Sequence, residues 1–258
     1  FSTLKRGRVR YGIMLREDGH VMDDGTTACL GEGHYLMTTT TAAAGPVMRH
    51  LEFVAQVLRP ELDVQMVSVT EQWAQFAVAG PGSRDLLNGL LDAPMAEGAF
   101  HFMACGAVSV MGVQGRLFRI SFSGEHAYEI AVPARYGDAL FGELVTRAEG
   151  MGGGAYGMEA LNVLRLEKGL LTHAEMHGRV TGYDLGLTGL MSSRKDSIGR
   201  AAAARPGLVD PERERLVALH PVGIEKRLLP GAHLFAHDAP AVREAAEGED
   251  FLFEGKIG

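Results

Sequence analysis

The sequence predicts an α+β fold built on antiparallel sheets. Segments with the two-residue period of strands alternate with segments of helical period, in the order strands, helix, strands, helix, strands, helix. The strands follow one another through short hairpin-like links, whereas a doubly wound parallel sheet needs a long crossover between successive strands. The 258 residues suffice for one large domain or two of ordinary size, and 46% of them are hydrophobic, as in a globular protein with a core.

The N-terminal segments predict three strands and a helix. Residues 8–15 alternate between the two faces as a half-buried strand does, and a turn follows at 17–20. A second strand opens at residue 21 and meets two adjacent aspartates, Asp23 and Asp24, at its end. The run 34–41 is rich in β-branched residues and predicts a third strand. Apolar residues at helical spacing, with a proline in the first turn, predict a helix from about 45 to 58.

The remaining elements follow from the same periodicities. In chain order they are strands at 64–70 and 73–79, a short helix after 80–83, a hairpin of 107–113 with 115–122, a strand through 128–132, and helices at 135–148 and 157–168. Gly169 is the expected C-cap of the last helix, because glycine adopts the left-handed conformation that ends many helices.

The character of the chain changes after Arg205. Pro-Gly and Asp-Pro pairs punctuate it there, and a new strand-like run starts at 216–219. We therefore expect one domain over 1–205 and the start of a small, mostly β domain over 206–258. Residue 1 is not methionine and residues 253–258 read like the approach to a strand, so the chain is expected to be a fragment of something longer.

Charge and composition exclude several classes of function. The formal net charge of -7 argues against nucleic-acid binding, which requires clustered Lys and Arg, although one basic pocket for a polyanionic cofactor remains open. No apolar run approaches the roughly 18 residues of a membrane span, so no membrane partner is expected. Two cysteines, Cys29 and Cys105, cannot form a disulfide framework, and their scarcity fits a cytoplasmic protein.

Acidic residues are the strongest chemical candidates. Asp23 and Asp24 are adjacent carboxylates that repel, so at least one must be solvated, hydrogen-bonded or shifted in pKa. Successive strand residues point to opposite faces, so one could enter a pocket while the other holds a turn; a plain Asp-Asp-Gly turn is the alternative. Glu129 faces away from its apolar neighbours on the strand, and therefore points either into solvent or into whatever covers that face.

Three further patterns are weaker. The string GGGAYG at 152–157 matches G-x-G-x-x-G, but a helix rather than a strand precedes it, so a link between helices is expected instead of a dinucleotide site. Residues 80–84 either cradle an anion or simply start a helix. His173, Glu175 and His177 would share one face of an extended segment and could bind a metal, but solvent-facing polar residues give the same pattern, and no metal is assigned.

Taken together in chain order, several motifs resemble the glycine-cleavage T-protein (aminomethyltransferase) family. The likeness is nearest to the C-terminal half of the alpha subunit of heterotetrameric sarcosine oxidase, and it runs from the first residue to the last. The motifs are RYGIM at 10–14, DGHVMDDG at 18–25, VTEQWA at 69–74, AGP at 79–81, SFSGEHAYE at 121–129 and YGMEALNVLRLEKG at 156–169.

The resemblance implies a fold and a reaction. The fold consists of ferredoxin-like α+β units around a central folate channel, followed by a C-terminal β-barrel that would be only partial here. The reaction transfers a one-carbon unit to tetrahydrofolate. In the sarcosine oxidase branch, a flavin in the beta subunit oxidises sarcosine to an imine, whose carbon tetrahydrofolate captures as 5,10-methylenetetrahydrofolate. Flavin (FMN or FAD) and NAD are accordingly expected in other domains or subunits of the complex.

The same resemblance implies roles for particular residues. The family's essential carboxylate corresponds to Asp23, where an acid near N10 of the folate can accept its proton and stabilise positive charge. Glu129 corresponds to the acid that binds the amino-pyrimidine edge of the pterin through paired hydrogen bonds. Phe122 corresponds to an aromatic residue that stacks near the pterin, and Tyr11 and Asp24 are expected to contact the cofactor as well.

Departures from the family pattern leave alternatives open. T-proteins have a pterin-contacting arginine at the position of Leu161, and residues 173–178 replace a Gly-Gln-Asp or Gly-Asn-Asp string. The favoured function is the transferase module of a sarcosine-oxidase-like complex. The alternatives are another folate-dependent amine demethylase, a free T-protein-like aminomethyltransferase, or a non-catalytic folate-binding assembly module.

Overall fold

A computed structural model describes residues 3–191 and 194–219. The chain divides into two units, Phe1–Leu216 and Val217–Gly258, and all of the described helices and strands belong to the first. The predicted C-terminal barrel falls mostly on residues 220–258, which lie outside the described residues, so that barrel and the predicted boundary at 206 stay predictions. Within the described ranges, no helix combines the length and the apolar character that crossing a bilayer requires.

A three-stranded antiparallel sheet opens the chain. Its strands are β1 (Val9–Leu15), β2 (Val21–Gly31) and β3 (His34–Met37), in the order β1-β2-β3. The β1–β2 turn is where the sequence predicts it. The second strand, however, runs seven residues beyond Asp24, where it was predicted to end, whereas the third stops four residues short of 41.

The glycine after the aspartate pair explains why β2 continues. Gly25 is a strand residue paired with Gly12 of β1, and not the corner of an Asp-Asp-Gly turn. A Cβ atom at Gly25 would overlap the carbonyl oxygen of Thr38, whose backbone crosses the strand closely at this point. The glycine is therefore needed for close approach between two chain segments, which in sequence looks the same as a turn signal.

Helix α1 (Ala44–Phe53) follows and continues as a single π-helical turn, Val54–Leu58, so the predicted helix at 45–58 is confirmed. The strand predicted at 64–70 is wrong. Residues 63–69 have no regular structure in the described chain, and Val64 and Val67 are exposed. Their β-branched composition suits a strand, but a strand forms only where another backbone offers hydrogen bonds, which no described segment does here.

A four-stranded antiparallel sheet forms the centre of the unit. Its strands are β4 (Trp73–Ala79), β5 (Cys105–Val110), β6 (Val113–Phe118) and β7 (Ala127–Pro133), in the order β4-β7-β6-β5. The hairpin of β5 and β6 turns at Met111 and Gly112, earlier than predicted, and Gly115 lies within β6 opposite Val108. The predicted α+β class with antiparallel sheets is confirmed.

Two helices cover one face of this sheet. Helices α2 (Ser83–Asn88) and α3 (Gly137–Gly150) contribute leucines that pack on apolar strand residues. The largest core cluster contains Val78, Leu86, Leu87, Leu90, Leu91, Met95, Val110, Leu117, Tyr128, Ile130, Val132, Leu140 and Leu144. Most of its members come from strands and helices that periodicity identified, which is why the helices after 80 and after 134 were predictable.

The other face of the central sheet packs on the first sheet. Val9 and Ala28 of the first sheet share a core cluster with Phe118, Ile120 and Ala131 of the second. The two sheets therefore lie face to face. This face carries Glu129, because it is opposite to the face that holds the helices.

Helix α4 (Met158–Lys168) and the segment after it complete the unit. Gly169 has φ +75°, so the predicted C-cap is confirmed. The loop between the end of α3 and the start of α4 contains the GGGAYG string, which is thus a helix-to-helix link as expected. Met176 and Leu185 then pack on Val21 of β2, and the short helix α5 (Arg200–Ala203) lies against the β1–β2 turn at Gly19.

The close approach at Gly25 gives a test of the fold. Gly25→Ala should lower the free energy of unfolding by about 3 kcal/mol, because the added methyl group overlaps the Thr38 backbone, which has little room to yield. Urea denaturation measures the change. Gly12→Ala is the matched control, because Gly12 is the strand partner of Gly25 and has open space around its Cβ position. An equal cost for the two variants would contradict the close approach.

Candidate functional site

A pocket of about 250 Å³ opens beside β7 on the face that lies towards the first sheet. Its walls are mostly apolar, and one carboxylate projects into it. The lining residues are Ala77, Ile120, Ser121, Phe122, Ser123, Ala127, Glu129, Tyr156 and Leu161. Pockets for drug-sized ligands are typically roughly 300–1,000 Å³, so this volume suits a ring system better than a whole extended ligand.

Glu129 is the acid in this pocket. It lies in the middle of β7, where Tyr128 and Ile130 on either side point into the helix-covered core and are 0% exposed. Burial raises the pKa of the Glu129 carboxyl above its ordinary value, and a hydrogen bond from the Gln75 amide opposes this rise. A half-buried carboxylate held at one oxygen by an amide can still accept hydrogen bonds from a ligand.

The pocket walls come from two places distant in sequence. Phe122 lies in the loop before β7 and is 37% exposed, so one side of its ring is available for stacking. Tyr156 and Leu161 approach from the start of α4. Burial, with Glu129 contributing, raises the pKa of the Tyr156 phenol, so the phenol is a neutral hydrogen-bonding group beside the acid. Leu161 makes its part of the wall apolar.

Asp23 lies outside this pocket lining and is 0% exposed. Its Oδ2 accepts a hydrogen bond from the Thr40 backbone N–H at 2.9 Å, and its Oδ1 accepts one from the Thr40 hydroxyl at 2.8 Å. Buried charges in proteins are as a rule paired or hydrogen-bonded, and Thr40 donates both hydrogen bonds here. The carboxylate is thereby fixed in orientation by the segment that follows β3.

Asp24 points to the opposite face of β2, as strand alternation requires. The Tyr11 hydroxyl donates to its Oδ2 at 2.7 Å across the β1–β2 pair. Burial raises the pKa of the Asp24 carboxyl, with the Tyr11 hydrogen bond opposing the rise and the Asp23 charge adding to it. Burial and the two aspartates also hold the pKa of the Tyr11 phenol well above its usual range.

The predicted site residues thus lie in two places. Glu129 and Phe122 share the pocket, whereas the other three lie on the first sheet. There, Tyr11 is hydrogen-bonded to Asp24, and Asp23 is hydrogen-bonded to Thr40. Sequence patterns did not single out Gln75 or Thr40. Gln75 was detectable, because it occupies an outward position of a predicted strand; Thr40 stood in a run of four threonines with nothing to distinguish it.

The metal alternative at His173, Glu175 and His177 needed an extended segment, and the structure has a turn there instead. Glu175 accepts hydrogen bonds from Arg165, at 2.7 Å, and from the backbone and hydroxyl of Thr172. Both histidines are exposed. Among the residues that the structure describes, no three His, Cys, Asp or Glu side chains are placed to hold a metal ion.

The anion alternative at residues 80–84 is also accounted for by local structure. Helix α2 has only six residues. The Arg84 guanidinium donates to the carbonyl oxygens of Ala96 and Ala99 and to the Tyr128 hydroxyl. These contacts fasten the loop before β5 to the core, so the arginine acts as a structural residue here.

Comparison with known proteins places the chain among relatives. Residues 1–195 match the family model described as the GCVT N-terminal domain. The sarcosine oxidase subunit alpha of Rhizobium meliloti is 47% identical over 251 residues, which are 96% of this chain and 25% of that protein. The aminomethyltransferase of Streptomyces coelicolor is 30% identical over 204 residues, which are 78% of this chain and 53% of that protein.

A solved structure shares the fold. The glycine cleavage system aminomethyltransferase T from Bartonella henselae superposes with a TM-score of 0.66 at 24% identity, covering 78% of this chain and 53% of that one. The chain therefore spans about a quarter of the length of the first relative and about half of the length of the other two.

The Arg165–Glu175 pair allows a test that separates structure from metal binding. Glu175→Gln should cost about 3 kcal/mol of unfolding free energy, because it leaves the buried Arg165 guanidinium without its counter-charge. Although burial opposes it, hydrogen bonding from Arg165 and Thr172 lowers the pKa of Glu175. The pair's contribution is therefore present above the ordinary carboxyl pKa and lost as pH falls through the lowered one, so the variant should lose less stability in acid.

The matched control is Glu167→Gln, which changes an exposed acid on α4, the helix that carries Arg165, and should leave stability nearly unchanged. Elemental analysis of both purified variants and of the parent addresses the metal alternative. A stoichiometric metal in the parent that disappears only in Glu175→Gln would contradict the structural role.

Proposed function

Because this chain belongs to the GCVT N-terminal domain family, we propose that it is the folate-binding, one-carbon-transferring module of a sarcosine-oxidase-like enzyme. The higher identity to a sarcosine oxidase alpha subunit, 47% against 30% for an aminomethyltransferase, favours that branch. Tetrahydrofolate would supply the nucleophilic nitrogens that take up the carbon of an oxidised N-methyl amine, giving 5,10-methylenetetrahydrofolate and releasing the demethylated amine as the C–N bond breaks. A flavin-containing beta subunit would generate the imine, and flavin and NAD would lie outside this module.

The observation that carries the proposal is a single carboxylate in a mostly apolar, ring-sized pocket. A pterin has two apolar faces and one edge with adjacent N–H donors. Phe122 and Leu161 can contact the faces, and the Glu129 carboxylate can accept two parallel hydrogen bonds from the edge. The Tyr156 hydroxyl is a further donor or acceptor at the rim. The residues that line the pocket therefore fit the pterin ring of tetrahydrofolate.

Asp23 is proposed as the acid that acts on the reacting nitrogen. Its two hydrogen bonds from Thr40 fix the carboxylate, and a carboxylate so oriented can accept a proton or stabilise a developing positive charge. Tyr11 and Asp24 are proposed to line the route between Asp23 and the bound ring. The amino-pyrimidine edge of a reduced folate and its N5 and N10 lie on different sides of the ring system, so they can meet different acids.

The role of Glu129 predicts how tetrahydrofolate binding responds to mutation and to pH. Glu129→Ala should weaken the Kd of tetrahydrofolate roughly tenfold to a hundredfold, because hydrogen bonds to a charged group are lost. Since burial raises the Glu129 pKa, the parent should lose affinity as pH falls through a value above the roughly 4.3 of a free glutamate. Isothermal titration calorimetry across pH measures both effects.

Glu125→Ala is the matched control for that experiment, because Glu125 lies in the loop just before β7, is exposed and is absent from the pocket lining. It should bind tetrahydrofolate like the parent. An unchanged Kd in Glu129→Ala would place the pterin elsewhere and contradict the proposed pocket.

The role of Asp23 predicts a separation of binding from chemistry. Asp23→Asn should keep the Kd of tetrahydrofolate within about threefold, while capture of the one-carbon unit falls by a factor of roughly 100 or more, as for loss of a general acid–base group. The amide can still accept from the Thr40 N–H and donate to its hydroxyl, so the local fold should survive. Single-turnover formation of methylenetetrahydrofolate in the intact complex is the measurement.

Asp24→Asn serves as the comparison, because Asp24 is the adjacent acid on the same strand but faces Tyr11. It should reduce capture much less than Asp23→Asn. Normal capture by Asp23→Asn would remove Asp23 from the reaction, and equal losses in both variants would show that the pair acts only through the fold.

A further inference from the structure

Arg116 of β6 stacks on an aromatic ring. Its guanidinium carbon lies 3.9 Å from the centroid of the Trp73 ring, on β4. Within the described residues, this stacking is the interaction found for Arg116, and no hydrogen bond or carboxylate partner accompanies it. The residue is half-buried, and burial lowers the pKa of its guanidinium.

Stacking prepares an arginine for a ligand. The indole holds the guanidinium plane, whereas the N–H groups point outward from its edge, where a carboxylate can accept two of them in parallel. Because the side chain is already fixed and partly removed from water, binding costs less ordering and gains a stronger charge-assisted bond. A solvated arginine on a strand would have neither property.

Arg116 lies on the same face of the sheet as Glu129. Residues directly opposite each other on neighbouring strands share a face, and Arg116 pairs with Ala131, which pairs with Gln75. The next row along the strands is Phe118, Glu129 and Ala77. In the other direction the following row holds Trp73 opposite Pro133, so Trp73 and Glu129 stand at two ends of one stripe. Arg116 belongs to the row between them, and its guanidinium reaches the Trp73 ring.

The length of this stripe can be read from the strand geometry. Pro133, opposite Trp73, is four residues from Glu129 along β7, which is about 14 Å at the usual rise of a strand. Gln75, which donates to Glu129, stands between the two ends. The pocket opens at the Glu129 end, and the small Ala131 leaves room for the Arg116 side chain to cross β7.

We propose that Arg116 and Trp73 form a carboxylate-binding subsite for the acidic end of the ligand whose ring occupies the Glu129 pocket. The inference rests on the proposed function, and it adds the residues of the protein that bind the carboxylate tail of the ligand. The stripe offers an acceptor for an amino-pyrimidine edge at one end and a donor pair for a carboxylate at the other. Tetrahydrofolate has the matching group at each end, because a benzoyl spacer separates its amino-pyrimidine ring from the carboxylates of its glutamate.

Two ligands test the subsite in the intact protein. Tetrahydrofolate carries the benzoylglutamate tail, whereas tetrahydropterin has the same ring edge without carboxylates. Arg116→Gln should weaken the Kd of tetrahydrofolate roughly tenfold to a hundredfold, and should leave the Kd of tetrahydropterin within about twofold. Arg116→Lys should recover part of the loss, because it restores the charge but not the planar fork.

Arg135→Gln is the matched control. Arg135 also stacks on an aromatic ring, that of Tyr136 at 4.7 Å, but it follows the end of β7 and is not one of the paired strand residues that form the stripe. It removes the same charge and the same type of contact, and should change neither Kd. Raising salt should weaken tetrahydrofolate binding in the parent and less so in Arg116→Gln.

The outcomes separate this inference from the proposed function. An unchanged tetrahydrofolate Kd in Arg116→Gln, or an equal loss for both ligands, would overturn the subsite. Glu129→Ala should instead weaken both ligands, because both have the ring edge. If Glu129→Ala changed neither while Arg116→Gln still weakened tetrahydrofolate alone, the pterin pocket would be wrong and the carboxylate subsite would stand.

Discussion

Tyr128, Ile130 and Val132 anchor β7, because all three insert into the core beneath helices α2 and α3 and are almost fully buried. Strand side chains alternate, so their burial forces Glu129 to the other face. A slip of one residue would exchange the faces, placing a carboxylate in the core and three large apolar side chains in the space between the sheets. The position of Glu129 on the face opposite to the helices is therefore a consequence of core packing.

The three acids associated with the site occupy three environments. Asp23 is buried and hydrogen-bonded at both oxygens by Thr40, whereas Asp24 is half-buried and accepts a hydrogen bond from the Tyr11 hydroxyl. Glu129 is half-buried among apolar groups, which raises its pKa. Carboxyl groups of similar intrinsic acidity thus acquire different hydrogen-bonding capacities, and these differences fit the separate roles proposed for Asp23 and Glu129.

Local patterns predicted the elements whose partners lie close in sequence or whose periodicity is strong. Helices α3 and α4, the Gly169 cap and the β1–β2 turn followed from spacing alone. The failures share one cause. Residues 64–70 have strand composition but no strand in the described chain to pair with, and the Asp-Asp-Gly string has turn composition but lies within β2 against the Thr38 backbone. In both, a distant segment decided the outcome.

The amino-acid sequence by itself determined the α+β class, the face on which Glu129 lies, and the family resemblance that pointed to Asp23 and Phe122. Tertiary structure alone decided that Phe122, Glu129 and Tyr156 share a pocket, that Thr40 holds Asp23, and that Arg116 stacks on Trp73 in line with Glu129. Periodicity reports which way a side chain points from its own element. Which groups meet depends on the pairing order of strands and on loops that return across them, and no single segment contains that information.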